Sequence, residues 1–254
     1  MICVLTVSRK LWGINIAQIY FPRERSVSMY SSADLVGITQ SSVPLKGLNP
    51  IETLHKDLTK SADELFMNIS KSTRKQIRQA ENDPDIQVVI QTEPADEEIF
   101  RFRDFYNQLA EAKKTYPCNA FNLETLKLVR DKKALIITKT VDQQQQPLCY
   151  RVYTADGSRA MALYSASHFR QSDDNEYKRL VSKAHRLLQW EDILWFKNNG
   201  YQILDSGGLT DDPNVRNFKL EFGGEIVTEY SGYVPNTLLG RAALQARKWR
   251  LARK

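Results

Sequence analysis

The stretch from Tyr201 to Gly224, YQILDSGGLTDDPNVRNFKLEFGG, constrains the fold more than any other. A short apolar run ends in Asp205, and the pair Gly207 and Gly208 follows at once. A polar loop with Pro213, the segment Asn217-Phe218-Lys219 and a second pair, Gly223 and Gly224, complete it. Upstream, a helical pattern over 176–199 is closed by Gly200. The order is helix, strand, glycine-rich loop, short helix, glycine turn, strand. Glycine admits positive φ and close backbone approach, so a strand ending in an acid and two glycines suits the edge of a binding cleft.

Around this stretch the sequence predicts an α+β chain. Residues 1–45 read as β-rich, with CVLTV, INIAQIYF and SVSMY as strand candidates, and Pro44, Gly47 and Pro50 mark a loop. A helix is expected over 61–82, opened by a Ser61/Glu64 capping box. Arg74 and Arg78 stand four apart on it and share a face, either a solvated one or one that binds an anion. A strand over 86–91 and helices over 96–114 and 123–130 follow, the latter with Asn122 as N-cap. Residues 134–141, 148–154 and 159–167 form an antiparallel meander. After the helix over 176–199 come strands over 201–205 and 225–230, and a basic helix over 238–254 closes the chain. The expected division is an N-terminal part, 1–95, with a linking basic helix, and a core, 96–254.

The net charge of +6 resides in the tail. From Gly240 onward there are Arg241, Arg247, Lys248, Arg250, Arg253 and Lys254 and no acid, so the rest of the chain is neutral. That weakens the case for a body that binds nucleic acid and leaves a local one for the tail. Leu238, Leu239, Ala243, Leu244 and Trp249 make the tail partly amphipathic. It reads either as a helix packed on the domain with a basic outer face or as a peripheral membrane contact through 238–254. Three dispersed cysteines without a CxxC fit reduced thiols. The N-terminal segment shows no signal peptide and no membrane span, so a cytoplasmic location is expected, with a peripheral position at the inner face of the membrane as the alternative that the tail leaves open.

The chain has no GxSxG, Walker loop or HExxH, and His55, His168 and His185 are not spaced as metal ligands, so no metal is expected. Amine attack on an activated acyl group needs only positioning, charge stabilisation and a proton acceptor. The start of the long helix is a natural anion site, to which Arg179, Lys183 and Arg186 add charge. Asp205 is either a proton acceptor or a turn cap, and Lys219 is either a cation for a developing oxyanion or a solvated lysine.

Four stretches carry a family resemblance in the expected order: STRKQIRQAEND (72–83), RLVSKAHRLLQWEDILWFKNNGY (179–201), DSGG (205–208) and FKLEFGG (218–224). They resemble the Fem-type branch of GNAT acyltransferases, relatives of the peptidoglycan interpeptide-bridge aminoacyltransferases, in the polysaccharide and cell-envelope branch. The resemblance covers about residues 50–235. It implies a GNAT-like, mixed, mostly antiparallel sheet flanked by helices, with a smaller, truncated GNAT-like N-terminal part. It implies acyl transfer to an amine, with Lys219, Asp205 and Phe218 at the transfer site. Arg179, Lys183, Ala184 and Arg186 would lie near the donor phosphates, Arg74 and Arg78 would bind substrate from the helix that joins the two halves, and Gly207 and Gly208 would bind substrate as well. No permanent cofactor is implied. The co-substrate is an acyl-CoA thioester or, as the alternative, an aminoacyl-tRNA, and the acceptor is an amino sugar or amino acid. A further alternative is a non-catalytic binding module. Ser182-Lys183-Ala184 stands where the family has a glycine-containing phosphate loop, and no heptad insert for tRNA is present. The thioester donor is therefore the leading version, entering where strands 159–167 and 201–205 splay apart.

Overall fold

The computed structural model describes residues 4–23, 32–169 and 172–252, with side chains up to residue 249. The strand candidate SVSMY lies outside the described residues. The chain forms two compact units, Met1–Thr53 with Ile226–Lys254, and Leu54–Glu225. These boundaries differ from the expected division at residue 95. The basic helix after residue 70 belongs to the second unit, and the last strand and helix belong to the first.

The first unit contains β1 (Thr6–Leu11), β2 (Ile14–Tyr20), β3 (Leu35–Ser41), the start of β4 (Leu48–Asp57), nearly all of β10 (Glu225–Pro235) and α7 (Leu238–Ala252). Its strand order is β1-β2-β3-β10-β4. β1 and β2 form an antiparallel hairpin, β2 and β3 run parallel, and β3 and β10 run antiparallel. Alternate residues Ala17, Ile19, Val36 and Ile38 point to one face and make its core. The loop expected at Pro44–Pro50 is shorter than its prolines suggest. β4 begins at Leu48, and Pro50 sits near its start, where a missing backbone donor is tolerated.

The second unit takes the end of β4 and adds α1 (Ala62–Met67), α2 (Lys71–Glu81), β5 (Gln87–Gln91), α3 (Asp96–Ala112), α4 (Ala120–Asp131), β6 (Leu135–Val141), β7 (Pro147–Ala155), β8 (Arg159–Ser167), α5 (Asn175–Asn198), β9 (Ile203–Gly208) and α6 (Pro213–Leu220). The strand order is β4-β9-β8-β7-β6-β5. β6 to β8 form the predicted antiparallel meander, β5 pairs antiparallel with β6, and α5 crosses over to bring β9 parallel to β8. Val181, Ala184, Leu188, Ile193 and Phe196 form the buried stripe of α5, joined in the core by Tyr153, Ala160 and Leu204. Cys118 and Cys149 are buried free thiols.

Several local expectations need correction. The helix over 61–82 is two helices. Ser61 and Glu64 form the capping box of α1, and Ser70 restarts the chain by accepting from the Thr73 N–H. Asn119, not Asn122, caps α4. β9 begins at Ile203 and runs through the first glycine pair, which ends a strand rather than forming a loop.

Candidate active site at the end of β9

The parallel ladder between β8 and β9 covers only Arg159↔Ile203, Ala160↔Leu204 and Met161↔Asp205. Beyond it β8 continues to Ser167 and β9 to Gly208. The strands leave the ladder just where Asp205 and the glycine pair stand. Gly207 has φ +71, and a Cβ there would lie 2.6 Å from the Ala162 carbonyl oxygen. Backbone conformation and space both call for glycine.

Asp205 is fully buried. Its Oδ1 accepts the Gly207 N–H at 2.8 Å, and its Oδ2 pairs with the Arg159 guanidinium. His55 Nε2 lies 3.6 Å from the same Oδ2. The carboxylate thus holds the bend that the glycines make.

Two lysines meet this strand end. Lys219, on the last turn of α6, donates to the carbonyls of Gly207 at 3.2 Å and Gly208 at 2.8 Å. Lys56, on β4, is buried and donates to Ser206 Oγ at 2.6 Å. Both ammonium groups are therefore held by neutral oxygens. Burial lowers the Lys219 ammonium to about 8, and the Arg151 charge adds to the shift while Asp205 opposes it. Burial likewise lowers Lys56 to about 7, with Arg151 and Lys219 reinforcing and Asp205 opposing. Arg151 is itself buried, bonded through Nε to the Tyr153 hydroxyl at 2.6 Å and paired with Asp192 at 3.1 Å. A value of about 7 leaves Lys56 in both protonation states near neutral pH, and Lys219 remains largely a cation.

Phe218 stacks on His185 with ring centroids 4.5 Å apart, and His185 Nε2 lies 2.9 Å from Ser165 Oγ on β8. Desolvation, then the charges of Arg151 and Arg186, hold His185 down at about 3, so its ring is neutral. His185 and Phe218 thus flank β8 beyond the ladder.

The sequence-predicted residues do not all gather here. Asp205, Gly207, Gly208, Phe218 and Lys219 come together. Lys183 is paired with Asp83 at 2.7 Å, and that bond holds the Asp83 carboxyl below its usual range. Arg186 is paired with Glu221 at 2.9 Å, and Thr73 donates to the same carboxylate oxygen. Ala184 is in the core, and Arg179 is exposed on α5. Arg74 reaches Met67, and Arg78 lies over the Phe66 ring at 5.3 Å. Lys56 and Arg159 join this cluster, and the Arg151 charge acts on it, although the sequence pattern singled out none of the three. The signal for Lys56 is its place in the alternation Leu54-His55-Lys56-Asp57-Leu58, where it takes an inward position between two leucines.

No protein-family model matches the sequence, and no curated protein matches it. Solved structures do match. FemX superposes with a TM-score of 0.61 at 13% identity, covering 94% of this chain and 85% of FemX. The chain shares its fold with FemX. The C-terminal domain of a putative lysylphosphatidylglycerol synthetase from Agrobacterium fabrum gives 0.55 at 10% identity, covering 95% and 87%. L-PGS from Bacillus licheniformis gives 0.53 at 14% identity, covering 96% and 85%. The likeness is one of fold, and the chemistry has to be argued from the side chains at the end of β9.

Proposed function

We propose that the protein is an N-acyltransferase that moves an acyl group from a thioester donor of the acyl-CoA class to an amine, with an amino sugar or amino acid of cell-envelope or polysaccharide biosynthesis as the acceptor class. The observation that carries this reading is the Lys219 ammonium, held by the Gly207 and Gly208 carbonyls where β9 leaves the β8 ladder. A thioester carbonyl placed there would develop an oxyanion as the amine nitrogen attacks its carbon. Lys219 is the cation that stabilises it. The C–N bond forms, the tetrahedral adduct collapses, the C–S bond breaks and the thiolate leaves. The attacking nitrogen must also lose a proton. Lys56, lowered to about 7, is the group whose protonation state suits that transfer at neutral pH. Phe218, stacked on His185, forms an apolar wall beside the reacting carbonyl. Asp205 shapes the site through Gly207 and does not exchange a proton in this scheme.

The alternative donor is an aminoacyl-tRNA. It follows from the sequence resemblance to the interpeptide-bridge aminoacyltransferases. The two donors are told apart by presenting the protein with a panel of acyl-CoA thioesters and with charged tRNA, each with amine acceptors. Amine-dependent thiol release supports the first reading. Label transfer from charged tRNA alone supports the second.

A further inference from the structure

The first unit carries a surface that the transfer chemistry does not use. The β1–β2 hairpin turns through Trp12 and Gly13, both with positive φ, +48 and +83. Such a two-residue turn favours Asn-Gly, and positive φ is uncommon for a bulky side chain. Trp12 is 88% exposed, so the strained position gains no burial in return.

Asp34 ties this hairpin to the start of α7. Its Oδ2 accepts the Asn15 N–H at 2.8 Å, and its Oδ1 accepts the Thr237 hydroxyl at 2.8 Å. The Asp34 N–H also donates to the Asn15 carbonyl, and its own carbonyl accepts from Asn236. Leu238 and Leu239 follow directly and are 79% and 60% exposed. The hairpin tip and the first turn of α7 therefore sit at one end of this unit.

The helix has two faces. Gly240 meets the Asp34 carbonyl so closely that a Cβ would lie 1.9 Å from it, and Arg247 lies over the Tyr233 ring at 4.7 Å. These positions mark the inward side. At ~100° per residue, Trp249 falls within about 20° of Leu238 on the opposite side, with Ala242 and Gln245 between them. Trp249 is 64% exposed. Arg241 and Lys248 are exposed along one flank of this row. An outward row of Leu and Trp flanked by cations is the pattern of a helix that lies in a lipid interface.

We infer that the hairpin tip at Trp12 and the outward face of α7 form a docking surface for an anionic membrane. Tryptophan prefers the headgroup level, where its ring is buried and its N–H stays hydrated. Arg241 and Lys248, exposed on the flank of this row in a tail segment without an acid, match an anionic leaflet. A second copy of the chain fits poorly, because a two-fold contact would oppose the same cations. Nucleic acid fits the charge but gives Leu238 and Leu239 nothing to enter. The inference does not depend on the acyl-transfer reading.

Flotation of the full chain with vesicles of phosphatidylcholine alone, and of phosphatidylcholine with phosphatidylglycerol, tests it. The wild type is expected to float with the anionic vesicles, to stay behind with the neutral ones, and to lose binding in high salt. Trp12→Asn installs the residue the turn prefers, so folding is kept, and binding is expected to fall about tenfold. The pair Leu238→Gln and Trp249→Gln, on exposed sites, is expected to abolish it. Equal flotation with both vesicle types, no flotation at all, or variants that bind like the wild type would overturn the inference. So would lipid-free dimerisation that the same variants abolish, since it would assign the surface to a second copy.

Discussion

Lys219 Nζ lies 2.8 Å from the Gly208 carbonyl oxygen and 3.2 Å from that of Gly207. A short helix and a strand end, separated in sequence by a polar loop, are thus joined through one side chain. Removing that charge while keeping the stem isolates its role. Lys219→Met is expected to fold and to lower kcat by roughly 10²–10³, the cost of losing one oxyanion partner. Saturation kinetics check this, and an unchanged kcat would assign Lys219 to structure alone.

Gly207 is held by conformation and by space. Gly207→Ala adds a Cβ at positive φ, 2.6 Å from the Ala162 carbonyl oxygen. The expected loss is about 1–3 kcal/mol, read as a lower urea midpoint. A midpoint equal to the wild type would mean that β8 and β9 yield at no cost.

Asp205 is paired with Arg159 and bonded to the Gly207 N–H, all inside the unit. Asp205→Asn keeps the shape and removes the charge that faces the Arg159 guanidinium. Breaking such a buried pair costs roughly 3–5 kcal/mol. Chemical denaturation is expected to show that loss, with kcat per folded molecule changed far less than by Lys219→Met. A large kcat loss at unchanged stability would restore Asp205 as a proton acceptor.

Lys56 gives a pH signature. Its folded value of about 7 lies below its ordinary 10.5. In that window the unfolded chain holds a proton that the folded chain has released, so stability rises with pH. Below it, the folded chain carries the full cost of a buried charge. Lys56→Met has no such cost. Its denaturation midpoint is expected to exceed that of the wild type most at pH 6, and the gap is expected to narrow by pH 9. A gap independent of pH would show that Lys56 is not desolvated.

The sequence showed the strand–glycine–helix order because backbone punctuation is local. Gly207, Gly223, Gly224 and the Ser61/Glu64 box act through φ and nearby hydrogen bonds, which residue identity reveals directly. The meander and α5 were legible for the same reason, through alternation and helical spacing. The ion pairs were not. Lys183 reads as a free cation until Asp83, a hundred residues earlier, is found beside it, and Arg186 until Glu221 is. Lys56 was hidden because Pro50 argued against a strand that begins two residues before it. Charge partnership across the fold is a tertiary fact, and pattern reading does not fold the chain.

The most direct test of the central claim is thiol release from an acyl-CoA panel, followed with and without an amine acceptor, for wild type and Lys219→Met. The account predicts release that depends on the amine, saturates with both substrates and collapses in the variant. Folded wild-type protein that releases no thiol from any thioester and transfers no label from charged tRNA would contradict it.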